Sequence, residues 1–267
     1  MLGAKIGEGR VAEVYEWGPD RDRVVKLYQP GYPLDWIRYE AKVGSAVQAA
    51  GVPAPGVFEL VEVDERQGLL YERMPGKMLR EWMLESPDEW RRFATEMAGL
   101  HYSIHHCSAA GLPRQKDRLA GAIKQSEELL KERLNPVLHW LDALPEGDRV
   151  CHGDFHPDNI LYTGASSVAI DWVDASTGDP LGDVARTSLM FLSPYVPPGT
   201  PEGITGTLIQ EMKQQLNRVY LDEYYRLAGV DENDCNAWLL PVAAARLREN
   251  VPGERPWLLE LIDDQLR

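Results

Sequence analysis

The segment His152-Gly153-Asp154-Phe155-His156-Pro157-Asp158-Asn159 is followed by Ile160-Leu161-Tyr162, a Gly-Ala-Ser-Ser turn and Val168-Ala169-Ile170-Asp171-Trp172. Two short apolar runs on either side of such a turn read as a β-hairpin. Asn159 and Asp171 lie 171 − 159 = 12 positions apart, so a hairpin brings them together at its open end. A carboxamide and a carboxylate on neighbouring loop edges suit Mg²⁺, which takes one or two protein oxygens and completes its shell with water and phosphate. Asp154 falls beside that pair without having to ligate. That is the place for a base that accepts the proton of a substrate hydroxyl. Any one of these residues alone is an ordinary turn former; the chemistry lies in their combination.

The flanking sequence predicts two unlike halves. Val11–Trp17, Arg23–Tyr28, Val57–Val63 and Leu69–Arg73 read as strands bounded by turn residues. Between the second and third, a helix fits Leu34 to Ala50, with Ile37, Ala41, Gly44 and Val47 on one side and Gly51 as its stop. Past Pro75-Gly76 the pattern turns helical. Ser86, Pro87 and Glu89 read as a capping box with proline in the first turn. Trp90, Phe93, Ala94, Met97, Leu100 and Ile104 then recur at helical spacing. A second helix fits Leu119 to Leu141, Pro194–Pro201 reads as a loop, and helix resumes from about Thr207. The expected division is an N-terminal part over 1–75 and a C-terminal part over 76–267, with a ligand held between them.

Composition narrows the partners. The charge balance is 28 − 42 = −14, which disfavours nucleic acid and anionic membrane surfaces and suits a cationic ligand. The three cysteines, Cys107, Cys151 and Cys235, form no CxxC pair, so neither a disulfide framework nor a structural zinc site is expected. The first residues lack an apolar signal-peptide core, and no apolar run is long enough to span a membrane. A cytoplasmic protein is expected.

The site segment resembles the protein-kinase catalytic loop, H-R-D-x-x-x-x-N followed by the D of D-F-G, with Gly153 in place of the Arg. It resembles the aminoglycoside phosphotransferase and choline-kinase-like family more closely. There the pattern H-G-D-x-H-P-x-N-I/L-L continues through I-D-W to A-x-x-G-D-P-x-x-D-x-A. This chain carries Ile160-Leu161, Ile170-Asp171-Trp172, Ala175, Gly178-Asp179-Pro180, Asp183 and Ala185 at those places. The resemblance implies an α+β, protein-kinase-like bilobal fold and transfer of the γ-phosphoryl group of ATP (or GTP) to a small hydroxyl-bearing acceptor. It assigns Asp154 as the base and Asn159 and Asp171 as Mg²⁺ ligands.

Further residues follow from the same resemblance. Gly7-Glu8-Gly9 matches part of the kinase glycine-rich loop, with Ala12 in place of the third glycine and Val14 following it. Val24-Val25-Lys26 matches V-A-I-K, and Glu40 matches the glutamate that pairs with that lysine. Leu69–Gly76, with Glu72 and Met74, matches the interlobe hinge that holds the adenine. Ile6, Val14, Val24, Leu161 and Ile170 supply the apolar walls. Asp183 is expected to brace the catalytic loop from below, as is His152. His156 reads as structural, His101 as a core histidine, and His105, His106 and His139 receive no role.

Three rival readings are weaker. A protein kinase lacks support because there is no A-P-E sequence, and only Val173 to Thr177 separate Ile170-Asp171-Trp172 from Gly178-Asp179-Pro180. A catalytically inert nucleotide binder conflicts with the retention of Lys26, Asp154, Asn159 and Asp171. A metal-dependent hydrolase built on His152, Asp154, His156 and Asp171 leaves the glycine loop, Lys26 and Glu40 unexplained.

Overall fold

The computed structural model describes residues 2–196 and 206–267; the end of the Pro/Gly-rich loop, from 197 on, lies outside the described residues. The chain opens with a five-stranded antiparallel sheet. It contains β1 (Leu2–Glu8), β2 (Ala12–Trp17), β3 (Arg23–Tyr28), β4 (Val57–Val63) and β5 (Arg66–Glu72), in the order β1-β2-β3-β5-β4. Strand alternation sorts the faces of β3. Val25 and Leu27 join Leu70 in one apolar cluster, while Tyr28, on the face of Val24 and Lys26, packs with Ile37 of α1 (Leu34–Ala49). β1 was not anticipated. It is an edge strand exposed along almost its whole length, so it shows no half-buried alternation and is held by backbone pairing to β2.

The remainder is helical around two small sheets. β6 (Lys77–Met78), β8 (Ile160–Tyr162) and β9 (Ser167–Ala169) form one, and β7 (Arg149–Cys151) pairs with β10 (Ser176–Gly178) in the other. Their registers nest. Cys151 faces Ser176, and Ile160 faces Ala169. Residues 152–159 and 170–175 are therefore two loops set side by side, with both ends clamped. Around them lie α2 (Leu79–Glu85), α3 (Trp90–Ile104), α4 (Gln115–Gln125), α5 (Glu127–Leu130), α6 (Leu134–Ala143), α7 (Pro180–Leu192), α8 (Gly206–Ala228), α9 (Glu232–Asn236), α10 (Leu239–Arg246) and α11 (Glu254–Gln265). The main core joins Phe93 and Met97 of α3, Phe155, Tyr220 and Tyr224 of α8, and Trp238.

Two expectations are corrected. Ser86 does not cap α3; it ends α2 and makes no side-chain capping bond, and Glu89 pairs with Arg92 instead of closing a box. The single helix from Leu119 to Leu141 is three pieces, α4 to α6, with Lys131 at φ 53°. Pro136 accounts for the restart. It lacks the N–H that would bond to Glu132, and proline is tolerated only in the first turn of a helix, which here begins at Leu134.

Gln115, buried at the head of α4, locks the start of α7 in place. Its Nε2 donates to the Asp179 carbonyl and its Oε1 accepts from the Asp179 N–H, both at 3.1 Å. Asp179 in turn caps α7 through the Leu181 N–H at 2.8 Å. Gln115→Leu keeps the bulk and strands both backbone groups. It should lower the unfolding free energy by about 2 kcal/mol, measured by urea titration.

Candidate active site

The loop that carries Asp154 is shaped by its backbone. Gly153 has φ 81°, and a Cβ there would meet the Asp174 carbonyl oxygen at 2.4 Å. The glycine is thus a steric requirement, and the arginine that stands here in protein kinases has no room. On the neighbouring loop Asp171 adopts a left-handed conformation, φ 62° and ψ 64°, which is costly for any residue with a Cβ. The Ile170 N–H donates to the Asn159 carbonyl at 2.9 Å, so Asn159 and Asp171 flank one hairpin mouth.

One face of α7 grips the first loop. The buried Asp183 carboxylate accepts from the His152 and Gly153 N–H groups. The Arg186 Nε donates to the Gly153 carbonyl, and the Thr187 hydroxyl donates to the Phe155 carbonyl at 2.9 Å. Positions 183, 186 and 187 share a helix face, so one turn of helix holds a run of successive loop residues.

Asp183 has two further partners. His101 Nε2 lies 3.0 Å and His105 Nε2 3.3 Å from its Oδ2. The Tyr220 hydroxyl bonds His101 Nδ1 at 2.7 Å, and the Tyr224 hydroxyl bonds His105 Nδ1 at 2.5 Å. Burial raises the cost of the Asp183 charge, but the two imidazoles outweigh it and hold this carboxyl well below the usual range. Burial, reinforced by the charge of His105, lowers the His101 pKa to about 3.

Lys26, Glu40 and Asp171 converge from the two halves of the chain. Lys26 Nζ is 2.8 Å from Glu40 and 3.0 Å from Asp171. Burial opposes the ammonium charge, but the Asp171 and Glu40 carboxylates outweigh it and raise the Lys26 pKa. The Tyr71 hydroxyl donates to the same Glu40 oxygen at 2.6 Å.

Both oxygens of Asp154 are engaged. Arg186 donates to Oδ1 at 3.2 Å; the Asn159 amide donates to Oδ2 at 3.3 Å, with His156 Nε2 at 3.4 Å. Burial pushes the Asp154 pKa up; the His156 hydrogen bond and the Arg186 charge overcome it and leave the group ionised well below the usual carboxylate range. His156 is raised in return by Asp154, against its own burial. His152 is wholly buried, bonding the Ile170 carbonyl at 3.0 Å and the Asp154 N–H at 3.2 Å. With both ring nitrogens used, it is not available as a hydrolase metal ligand. Residues 4–208 match the model of the APH family, described as the phosphotransferase enzyme family.

The chain belongs to this family. It is also 27% identical over 214 residues to the mouse (Mus musculus) protein acyl-CoA dehydrogenase family member 10, covering 72% of this chain and 20% of that one. The chain thus spans about a fifth of that relative's length. Among solved structures, a thermostable mutant of aminoglycoside phosphotransferase APH(4)-Ia, in ternary complex with ADP and hygromycin B, aligns with TM-score 0.68 and 17% identity. It covers all of this chain and 93% of that one. A choline kinase from Cryptosporidium parvum Iowa II aligns with TM-score 0.57 and 13% identity, covering all of this chain and 91% of that one. At these identities the likeness is one of fold, and the fold is protein-kinase-like.

The remaining predicted positions lie in or beside β1, β2, β3, β5 and β8. Gly7 pairs with Val14 across the β1–β2 hairpin, which the Gly9 N–H closes on the Ala12 carbonyl at 2.8 Å. Neither glycine has positive φ, and an added Cβ would meet only ordinary contacts. Ala12 is buried in the sheet core, which accounts for the departure from glycine there. Val14, Val24 and Leu161 are half-buried. Glu72 accepts from the Gly56 N–H at 3.0 Å, and Met74 follows β5; among the described residues no hydrogen bond or ion pair links either to Lys26. A shallow open groove of about 330 Å³ between α3 and α8, lined by residues such as Thr95, Leu100 and Glu223, shares no residue with the site. Sequence reasoning missed Tyr71, Arg118, Arg186 and Glu249. Arg118 bridges Asp174 to the Tyr39 hydroxyl of α1.

The buried His101 carries a pH consequence. Its pKa is about 3 folded and about 6.5 unfolded, so the unfolded chain binds the proton first. The stability it contributes is complete above pH 6.5 and drains away as the pH falls toward 3; Asp183, with its depressed pKa, loses its contribution in acid in the same sense. The unfolding free energy should therefore fall between pH 6.5 and 4, and His101→Gln should flatten that slope, read from urea midpoints across the range.

Proposed function

We propose that this phosphotransferase moves the γ-phosphoryl group of ATP to a hydroxyl of a small molecule, an aminoglycoside-like compound or another amino alcohol or metabolite. The observation that carries the reading is the meeting of Lys26 and Glu40 with Asp171, 145 positions away from Lys26, beside the loop that holds Asp154. Lys26 would present its ammonium to the triphosphate with Glu40 and Tyr71 fixing it. Gly7 and Gly9, which the protein's own packing does not require to be glycine, leave the β1–β2 turn open for backbone N–H groups to approach phosphate oxygens. Glu72 and Met74 border the adenine, and Val14, Val24 and Leu161 its apolar surroundings.

The donor set fits Mg²⁺. Asp171 is exposed, and the Asn159 amide nitrogen is spent on Asp154, which leaves the amide oxygen as its free end. These two hard oxygens would hold the ion, whose charge would offset that of the phosphates. In the transfer, the acceptor oxygen bonds to the γ-phosphorus, the bond to the β-bridging oxygen breaks, and ADP leaves. Asp154 orients the hydroxyl and takes its proton. A carboxylate held so firmly ionised is a weak base, so its work is chiefly orientation, with the proton passing late.

Nucleotide binding should raise the melting temperature by about 5 °C at saturating MgATP, by ligand linkage. Lys26→Met should abolish that rise. Asp154→Ala should keep it while cutting turnover by about 10²-fold or more, measured with an acceptor found in a phosphorylation screen of hydroxyl-bearing antibiotics and metabolites. A wild-type chain unmoved by millimolar nucleotide would sink the reading.

A further inference from the structure

The last helices lie beyond residues 4–208, the region matched by the family model, yet they reach the site. α10 ends at Arg246, a 3₁₀ turn covers Leu247–Glu249, and Asn250 reverses the chain in a left-handed conformation, φ 50° and ψ 42°. That turn sets the Glu249 carboxylate 2.7 Å from Arg186 Nη1. Its other oxygen accepts from Arg246 at 2.7 Å. The Arg246 fork is filled by Glu254, with two bonds of 2.9 Å, and Glu254 accepts from the Ser193 hydroxyl. Asp154, Arg186, Glu249, Arg246 and Glu254 thus alternate in charge from the loop to α11.

We propose that Glu249 and Arg186 are positioning residues for Asp154, so that the C-terminal turn completes the active site. The inference rests on the reading of Asp154 as the group that orients the acceptor. Arg186 uses its guanidinium on three sides, toward the Gly153 carbonyl, Asp154 and Glu249. A planar fork with three fixed partners has one orientation. It bonds Oδ1 of Asp154 while Asn159 bonds Oδ2, which fixes the carboxylate plane. Removing the Glu249 charge leaves Nη1 without its anion and frees the fork to turn. Displacement of an orienting group by about 1 Å can cost about 10²-fold in rate.

The test compares Glu249→Gln, Arg186→Lys and Arg186→Met with Arg133→Met. The last breaks the Arg133–Asp263 pair (2.6 and 2.8 Å), which anchors α11 by a different ion pair. Turnover is measured with MgATP and a hydroxyl acceptor that the wild type phosphorylates, or with water if none is found. Glu249→Gln should lower kcat by about 10-fold with the KM for MgATP unchanged, and Arg133→Met should leave both unchanged. Arg186→Met should lose about 10²-fold, and Arg186→Lys should recover part of it. Equal kcat in Glu249→Gln and Arg133→Met, a parallel loss of nucleotide affinity, or no rescue by lysine would overturn the proposal. If the wild type transfers no phosphoryl group, the proposed function fails and the positioning claim is decided by hydrogen exchange. The amides of 153–155 should exchange faster in Glu249→Gln and not in Arg133→Met; unchanged exchange overturns it.

Discussion

The site depends on one buried charge. Asp183 is 2% exposed, and removing a carboxylate from water costs several kcal/mol unless donors replace the lost hydration. Four converge on it: the backbone of His152 and Gly153, and the imidazoles of His101 and His105. Its place in the first turn of α7 adds the favourable end of the helix dipole. Because the donors come from the end of α3, its cap residue His105 and the loop, satisfying this charge fixes both elements against α7. The tyrosines of α8 fix the histidines in turn. The geometry around Asp154 is thus a by-product of solvating Asp183.

The second constraint joins the two halves of the chain. Lys26, on the sheet, needs counter-charge once it is half-buried, and it finds Glu40 on α1 and Asp171 on the far loop. Asp171 reaches it from a left-handed backbone, a conformation that persists only where its surroundings over-determine it. Here the bond from the Ile170 N–H to Asn159 on one side and the short turn through Trp172–Asp174 on the other supply that constraint.

What was legible in the sequence is what local pattern encodes. The hairpin at 160–169, α1 and the apolar face of α3 follow from spacing and turn residues, and the motif placed Asp154, Asn159 and Asp171 on adjoining loops. β1 left no pattern because an exposed edge strand needs none. The break between α4 and α6 was hidden by continuous helical spacing, although Pro136 marked where it had to restart. Arg186 had a signal, since it lies one turn after Asp183 on the face that meets the loop. Glu249 had none. Its partner is 63 positions away, and nothing local distinguishes it from the other acidic residues of an acidic chain.

That asymmetry has a physical basis. A motif records residues whose neighbours in sequence are also their neighbours in space, and the loop from His152 to Asn159 is of that kind. The compensation of its charges is not. Setting the half-buried Asp154 and Arg186 beside each other leaves a guanidinium with donors to spare, and any acidic side chain delivered by the surrounding helices can meet the need. The requirement for a counter-charge is imposed by the loop, while its source is set by how the C-terminal helices happen to pack. The loop's motif therefore predicts that Arg186 needs a counter-charge without predicting that Glu249, outside the matched residues 4–208, supplies it.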